Sequence, residues 1–258
     1  MDVTLSIILI CCAAFFIAGL IDSIAGGGGL ITVPSLLLCG VPAHFALGTG
    51  KLASCLGTLS AVFSFARNRY LVTRILPLGF LSSALGSILG SWTALQIDSA
   101  LMGKIMVLML PVGLVLMLAS GGLKLTHGEM PERFLWLRVC ALGALVGAYD
   151  GFFGPGAGSF FLIGLHVLLK MDLVRASANS KIFNLASNFG SVCTFGSAGT
   201  VLYTLAIPCA IASILGNQVG ARLAMRVGVK MVRTMLFFVL VLLLATLVYR
   251  FFLSGAPL

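Results

Sequence analysis

The amino-acid sequence predicts an all-α integral membrane protein. Of its 258 residues, 60% are hydrophobic and only 9% are charged, and the mean hydropathy is +1.15. Soluble domains carry about 25% charged residues, so this chain has more apolar surface than a water-soluble fold can bury. Lipid admits only helices or closed barrels, and long apolar runs such as residues 235–249 lack the alternation of barrel strands. A soluble enzyme is therefore excluded.

Charged residues, glycine clusters and prolines divide the chain into apolar segments. Most segments have the roughly 17–25 residues needed to cross the hydrocarbon core of a bilayer. Residues 29–40 and 156–169 are too short, and each follows a glycine-rich stretch. We therefore expect about 8–10 transmembrane or half-membrane helices, with glycine-broken helices near the midplane. The segments are residues 4–24, 29–40, 44–67, 71–95, 100–121, 136–153, 156–169, 173–196, 200–221 and 229–252.

In the first half of the chain, each apolar segment ends at glycine, proline or charged residues. The glycines at 26–29 end the first segment, and Gly40 with Pro42 ends the second. The third ends at the basic stretch 67–74, inside which the fourth begins. The fifth starts after Asp98 and stops at the polar stretch 122–135.

The second half is bounded in the same way. Its first segment ends at Gly154-Pro155-Gly156, and the short one that follows ends at Lys170. The next ends at a neutral stretch, residues 196–203, where the first half has its basic stretch. The last two segments flank a strongly basic stretch, residues 222–233.

An internal repeat organises the chain. The motif Gly19-x-x-Asp22-x-x-x-Gly26-x-Gly28 recurs as Gly147-x-x-Asp150-x-x-x-Gly154-x-Gly156, and Thr49-x-Lys51 recurs as Asn179-x-Lys181. Each copy holds five segments, an odd number, so the second copy is predicted to be inverted relative to the first. The expected domains are a first membrane repeat at 1–121, a cytoplasmic linker at 122–135 and a second membrane repeat at 136–258. Inverted repeats are typical of secondary transporters.

The distribution of positive charge predicts the orientation of the chain. The net charge is +9, from 16 basic and 7 acidic residues. If the loop at 67–74 is cytoplasmic, counting crossings also places the basic loops at 122–138, 170–175 and 222–233 inside. Both termini then lie outside. The basic residues form no known nucleic-acid module, so no nucleic-acid partner is expected; the surrounding partner is membrane lipid, and the oligomeric state is not defined.

Two lysines inside apolar segments are the clearest functional candidates, because a charge within the membrane is costly. Spacings of i, i+3 and i+7 place each lysine on one helix face with two hydrogen-bonding groups. One cation with several donors suits a small oxyanion. The two polar stripes are Lys51, Ser54 and Thr58, and Lys181, Asn184 and Asn188.

Further candidates surround the lysines in sequence. Asp22 and Asp150 are predicted to pair with the lysine of their own half, Asp22 with Lys51 and Asp150 with Lys181, or to carry coupling protons. The glycine breaks free backbone amides, and the short segments after them direct helix N-termini at the site. The remaining candidates for substrate binding are Thr49, Asn179, Gly27, Gly28, Gly29, Gly156 and Ala157.

Motifs in both halves of the chain resemble those of a known family. The run Ala18-Gly-Leu-Ile-Asp-Ser-Ile-Ala-Gly-Gly-Gly-Gly and the later Ala46-Leu-Gly-Thr-Gly-Lys-Leu-Ala-Ser resemble the TauE/SafE family of sulfite exporters. Gly151-Phe-Phe-Gly-Pro-Gly-Ala-Gly and Ala178-Asn-Ser-Lys-Ile-Phe-Asn resemble the second copy of the family's motifs. The resemblance implies a multi-pass permease of the bacterial inner membrane for sulfite or sulfonates such as sulfoacetate. It also implies that the lysines and glycine loops form the anion site. Gly50 departs from the pattern, since many members have Asn there.

The sequence therefore predicts a secondary transporter, an exporter, that moves sulfite or a small organosulfonate by alternating access. Its partner is a small anion, with protons or sodium as the coupling ion. No ATP-binding motif occurs in the sequence, and neither a cofactor nor a metal is expected. An anion channel, or a permease for sulfate, thiosulfate or a carboxylate, is the alternative. An intramembrane aspartyl protease would need a Gly-x-Gly-Asp motif, which the sequence lacks.

Overall fold

The computed structural model describes residues 4–119 and 130–227, and this part of the chain contains helices and no strand. A short 3-10 turn, Thr73–Ile75, precedes the fourth helix. The α-helices are α1 (Leu5–Ala25), α2 (Gly29–Leu38), α3 (Ala43–Arg67), α4 (Leu76–Leu95), α5 (Ser99–Ala119), α6 (Leu135–Phe152), α7 (Ala157–Leu169), α8 (Leu173–Ser197) and α9 (Tyr203–Val227). They follow the first nine predicted segments in order. The tenth segment, residues 229–252, lies outside the described residues, as do most of the linker at 122–135 and part of the loop at 222–233.

The helices have the length and composition of membrane spans. Five candidate spans occur among the described residues, and three shorter apolar helices lie beside them. α8 is as long as α3, but buried polar side chains interrupt its apolar sequence. The five spans are Leu5–Ile24, Ala43–Arg67, Thr73–Leu95, Leu135–Phe152 and Tyr203–Met225. The all-α integral membrane fold is thereby confirmed.

Two helix pairs, α1 with α9 and α4 with α6, pack most closely in the described structure. Glycines allow this approach, because a Cβ added at Gly19 would lie 2.7 Å from the Ser213 carbonyl oxygen. At the matching position of the second half, Gly147 lies against the backbone of Ser83 in the same way. α9 also packs on α3, and α4 packs on α8. The two halves thus interleave, each contributing helices to the interior of the other.

Large apolar side chains cover the outside of the bundle. Leu9, Leu89, Leu145 and Leu215 are all more than half exposed, with exposed fractions of 61%, 65%, 73% and 57%. Soluble proteins rarely expose so much continuous apolar surface. The interior, by contrast, holds buried serines, asparagines and charged side chains. This inside-out distribution places lipid around the bundle and concentrates the polar chemistry at its centre.

Candidate functional site

Two helix breaks meet at the centre of the bundle. α1 ends at Ala25, and Gly26 turns the chain with a φ of 78°, in the left-handed region that favours glycine. α6 ends at Phe152, and Gly156 takes a φ of 85° just before α7 begins. A Cβ added at Gly29 would lie 3.1 Å from Pro155 Cα, so the two breaks pack against each other. Both helix breaks therefore occur at the glycine-rich stretches where the sequence analysis predicts them.

A small, partly open cavity lies beside these breaks. Residues from α1, α2, α3, α6, α7, α8 and α9 and from both breaks form its wall. Its lining includes the starts of α2 and α7, which carry the positive ends of the helix dipoles. The predicted site residues that line it are Asp22, Gly28, Gly29, Lys51, Ser54, Thr58, Asp150, Gly156, Ala157, Asn184 and Asn188.

The first ion pair of the site joins Lys51 and Asp150. Lys51 lies about a third of the way along α3, and its Nζ is 2.7 Å from Asp150 Oδ1, near the end of α6. Their side chains are only 7% and 4% exposed, and both line the cavity. The Ser187 hydroxyl donates a hydrogen bond to the other oxygen of the Asp150 carboxylate. Lys51 is thus a buried, paired cation on the wall of the cavity.

The second ion pair joins Lys181 and Asp22, and it is sealed from the cavity on the lysine side. Lys181 Nζ lies 2.9 Å from Asp22 Oδ2 and also donates to the Asp22 backbone carbonyl. The Lys181 side chain is 0% exposed and does not belong to the cavity lining, whereas Asp22 does. The Gly28 amide donates to Asp22 Oδ1 at 3.3 Å. Each pair therefore joins the two halves of the chain, and only one lysine faces the cavity.

Neutral polar side chains complete the wall. Ser54 and Thr58 extend from α3 beyond Lys51, as the i, i+3 and i+7 spacing predicts. On α8, Asn188 Nδ2 donates to Asn184 Oδ1 at 2.6 Å, which orients both amides. These side chains bring hydroxyl and amide groups to the same space as the Lys51 ammonium.

Ser213 and Asn217 of α9 also line the cavity, and sequence reasoning missed them. Asn217 Nδ2 donates to the Ser213 carbonyl oxygen at 2.9 Å, and the Ser23 hydroxyl donates to Asn217 Oδ1 at 2.7 Å. Their spacing of i and i+4 within an apolar segment is the same signal that identified the lysine stripes. Applying that signal to uncharged residues would have found them.

Some predicted site residues lie elsewhere. The Leu202 amide donates to Thr49 Oγ1 at 3.0 Å, and the Val72 amide donates to Asn179 Oδ1 at 2.9 Å. These side chains hold the loops that precede α9 and α4, on positions that match in the two halves. Gly27, like Lys181, is absent from the cavity lining. The structure thus brings most predicted residues together around Lys51 and places these four behind the wall.

A lipid-facing helical bundle with a charged, polar cavity at its centre has the architecture of a membrane transporter. The sequence model of the family described as "Sulfite exporter TauE/SafE" matches residues 11–247. The chain therefore belongs to the TauE/SafE family, which confirms the resemblance found in its motifs.

Similar proteins agree with this assignment. A "Probable membrane transporter protein" of Haemophilus influenzae is 36% identical over 251 residues, which cover 96% of this chain and 97% of the relative. A "Probable membrane transporter protein ORF9" of Sinorhizobium is 37% identical, covering 86% of this chain and 85% of the relative. The Escherichia coli K12 protein YfcA, also named a probable membrane transporter, is 34% identical, with 90% and 86% coverage. The protein is a multi-pass membrane transporter and not an enzyme.

Proposed function

We propose that the protein is a secondary transporter that exports sulfite or a small organosulfonate such as sulfoacetate across the bacterial inner membrane. The description of the matching family names sulfite export, and the cavity has the chemistry for a small oxyanion. The observation that carries the proposal is the position of Lys51, a buried ammonium group on the cavity wall. The substrate would enter the cavity and replace Asp150 as the partner of that ammonium.

The groups around Lys51 suit a sulfonate or sulfite head. Its three oxygens need charge and several donors, and charge-assisted hydrogen bonds are the strongest ones available. Lys51 supplies the charge, while Ser54, Thr58 and Asn188 supply hydroxyl and amide donors along the same wall. The starts of α2 and α7 add two helix N-termini, which favour anions.

The two crossed ion pairs support alternating access between inverted repeats. Each half supplies one lysine and one aspartate, and the repeat motifs place them at matching positions. In this structure Lys51 faces the cavity and Lys181 is sealed. In the opposite-facing state we expect the two roles to exchange, with Lys181 lining the cavity and Lys51 closed off. Transporters built from repeats commonly move by such an exchange around a central site.

A binding screen on purified protein tests the substrate. Thermal unfolding is measured with sulfite, sulfoacetate, thiosulfate, sulfate and simple carboxylates, because a ligand that binds the folded state raises the unfolding temperature. We expect stabilisation by sulfite or sulfoacetate, and its loss in Lys51→Gln. Lys104→Gln is the matched control, since Lys104 is exposed on α5. Stabilisation by sulfate or a carboxylate alone would identify a permease for another anion. Stabilisation of Lys51→Gln equal to that of the wild type would contradict the proposed site.

Transport in liposomes separates a carrier from an anion channel. A carrier that alternates its access exchanges internal for external anion, so unlabelled sulfite inside should accelerate entry of labelled sulfite. We expect this counterflow, together with saturation at high anion concentration. Flux that rises without saturation and shows no counterflow would instead indicate a channel.

A further inference from the structure

The charges around the cavity cancel one another. Lys51 is neutralised by Asp150 at 2.7 Å, and Lys181 is neutralised by Asp22 at 2.9 Å. The cavity wall of the described structure therefore offers an anion no unbalanced positive charge. A site for an anion alone would be expected to hold a free cation. Binding of an anion must change this balance.

An anion that binds Lys51 takes the place of Asp150. The Asp150 carboxylate, 4% exposed, then keeps one neutral partner, the Ser187 hydroxyl. A buried carboxylate without a cation is strongly unfavourable, because burial removes its hydration and nothing replaces the lost ion pair. A proton taken up by one carboxylate oxygen removes that negative charge and leaves the Lys51 ammonium to the substrate.

Asp22 is placed differently. Its partner Lys181 is fully buried, lies outside the cavity lining and also bonds to the Asp22 backbone carbonyl. An anion in the cavity cannot reach Lys181 Nζ without displacing Asp22 itself. In the state described here, Asp22 therefore stays neutralised while Asp150 loses its cation. Because the two ion pairs differ in this way, Asp150, and not Asp22, is the carboxylate that loses its cation when an anion binds.

The titratable and charged groups around Asp150 are few in the described structure. α3 brings Lys51, with Cys55 one turn further along the helix. α8 brings Ser187, and Asp22 of α1, which is paired with Lys181 of α8, lines the same cavity. The other described groups place no charge next to the carboxylate. α4 faces α6 with serines, and the hydroxyl of Tyr149, on α6 itself, donates to the Pro155 carbonyl. His166 lies at the far end of α7, where it bonds to the Met171 carbonyl.

We infer that the transported anion binds together with one proton, and that Asp150 is the residue that holds this proton. The proton comes from water in the cavity, forms an O–H bond on the Asp150 carboxyl group and returns to water when the anion leaves and Lys51 pairs with Asp150 again. A monovalent anion is then carried without net movement of charge. This inference rests on the proposed function, since it assumes an anion at Lys51.

The test counts protons during binding. Methanesulfonate is the probe, because its charge does not change across the neutral pH range and its head matches that of a sulfonate substrate. Calorimetric titrations in sodium-free buffers of different ionisation enthalpy give the number of protons taken up. We expect about one proton per anion for the wild type, and affinity that falls about tenfold per pH unit on the alkaline side. Asp150→Asn should bind methanesulfonate with no proton uptake and no pH dependence.

Two serine variants distinguish proton binding at Asp150 from a purely structural effect of Asp150→Asn. Ser187→Ala removes the hydroxyl that stabilises the charged carboxylate, so the pH midpoint of methanesulfonate affinity should move about one pH unit or more upwards. Ser191→Ala is the matched control: Ser191 is also buried on α8, but it bonds to Ser87 and Ser91 instead. Its midpoint should not move.

Each outcome of these titrations decides the inference. Binding without proton uptake, binding that requires sodium, or an unchanged midpoint in Ser187→Ala would overturn it and leave the anion site intact. Failure of the wild type to bind methanesulfonate or any anion of the thermal screen would contradict the proposed function itself, and the inference with it.

Discussion

Lys51 and Lys181 occupy matching positions in the two halves, yet only Lys51 borders the cavity. Lys51 Nζ lies 2.7 Å from Asp150 on the cavity wall, whereas the Lys181 side chain is 0% exposed and bonds to two oxygens of Asp22. Two residues that the sequence makes equivalent therefore have different environments. The difference predicts different consequences when each lysine is replaced.

Replacing Lys51 should affect binding more than stability. Lys51→Gln removes a charge-assisted hydrogen bond worth about 1.5–3 kcal/mol, so anion affinity should fall about ten- to a hundredfold. The unfolding temperature without ligand should fall less than in Lys181→Gln, because Lys51 bonds to the Asp150 carboxylate, whereas the fully buried Lys181 also holds the Asp22 backbone carbonyl. Thermal unfolding with and without sulfite measures both quantities. A large loss of stability without ligand would show that Lys51 has mainly a structural role.

Replacing Lys181 should affect stability first. Lys181→Gln removes a fully buried ammonium that bonds to both the carboxylate and the backbone carbonyl of Asp22, and breaking a buried pair in this way typically costs about 3–5 kcal/mol. The double variant Lys181→Gln/Asp22→Asn should recover most of that loss, because no unpaired charge remains. Thermal unfolding of the two variants provides the comparison. Equal stability of the single and double variants would show that the pair does not contribute as the structure indicates.

Gly28 should tolerate no side chain. A Cβ at this position would lie 2.7 Å from Asp22 Cβ and 2.9 Å from the Ala18 carbonyl oxygen, so Gly28→Ala must displace Asp22 or the start of α2. We expect loss of anion binding and a lower unfolding temperature. Gly196→Ala is the control, since nothing lies within 4 Å of its Cβ position. That variant should be neutral or slightly stabilising, by about 0.5–1 kcal/mol. Similar behaviour of the two variants would contradict the close packing at the break.

Gly50 should control the size of the accepted anion. It lines the cavity beside Lys51, and a Cβ there would meet only Leu36 Cδ1, at 3.7 Å. Gly50→Asn therefore fits without backbone strain, and its amide would occupy cavity space while adding a donor. We expect weaker binding of sulfoacetate relative to sulfite, measured as a ratio of affinities. A ratio unchanged from the wild type would show that the substrate does not approach Gly50.

Cys11 and Cys39 should form a disulfide under mild oxidation. Their Sγ atoms lie 3.7 Å apart, where α1 packs against the end of α2. A copper–phenanthroline oxidant should therefore link the peptides that contain them, as mass spectrometry of digested protein would show. Cys11→Ser should abolish the link, whereas Cys12→Ser on the neighbouring face of α1 should not. Because Cys209 also contacts Cys11, absence of the link in the Cys12→Ser/Cys209→Ser variant is the result that would contradict the packing of α1 on α2.

The sequence predicted most of the fold because its signals are local. Apolar length, glycine breaks and terminal charges place the ends of the nine described α-helices to within six residues. The stripe Lys51, Ser54 and Thr58 faces the cavity because helical spacing alone decides which residues share a face. These predictions needed no knowledge of how the helices pack.

Other features depend on packing between distant helices, and the sequence could not define them. The predicted pairing within each half, Lys51 with Asp22 and Lys181 with Asp150, was wrong, because the interleaving of the two halves brings Asp150 to Lys51 and Asp22 to Lys181. Thr49 was grouped with Lys51 because the two share a motif. Residues two positions apart on a helix, such as Thr49 and Lys51, point about 200° away from each other around the axis. Thr49 therefore faces the Leu202 amide instead of the cavity.

The crossed pairing also has a consequence for how the protein is made. Asp22 and Lys51 are synthesised and inserted into the bilayer before the ribosome reaches their partners, Lys181 and Asp150. An unpaired charge in lipid is costly, so the early helices cannot settle in their final packing while they wait. Until the second half is inserted, Asp22 and Lys51 have only each other as oppositely charged partners among these four residues. We therefore expect the first half to reach its final packing only after the second half has been inserted.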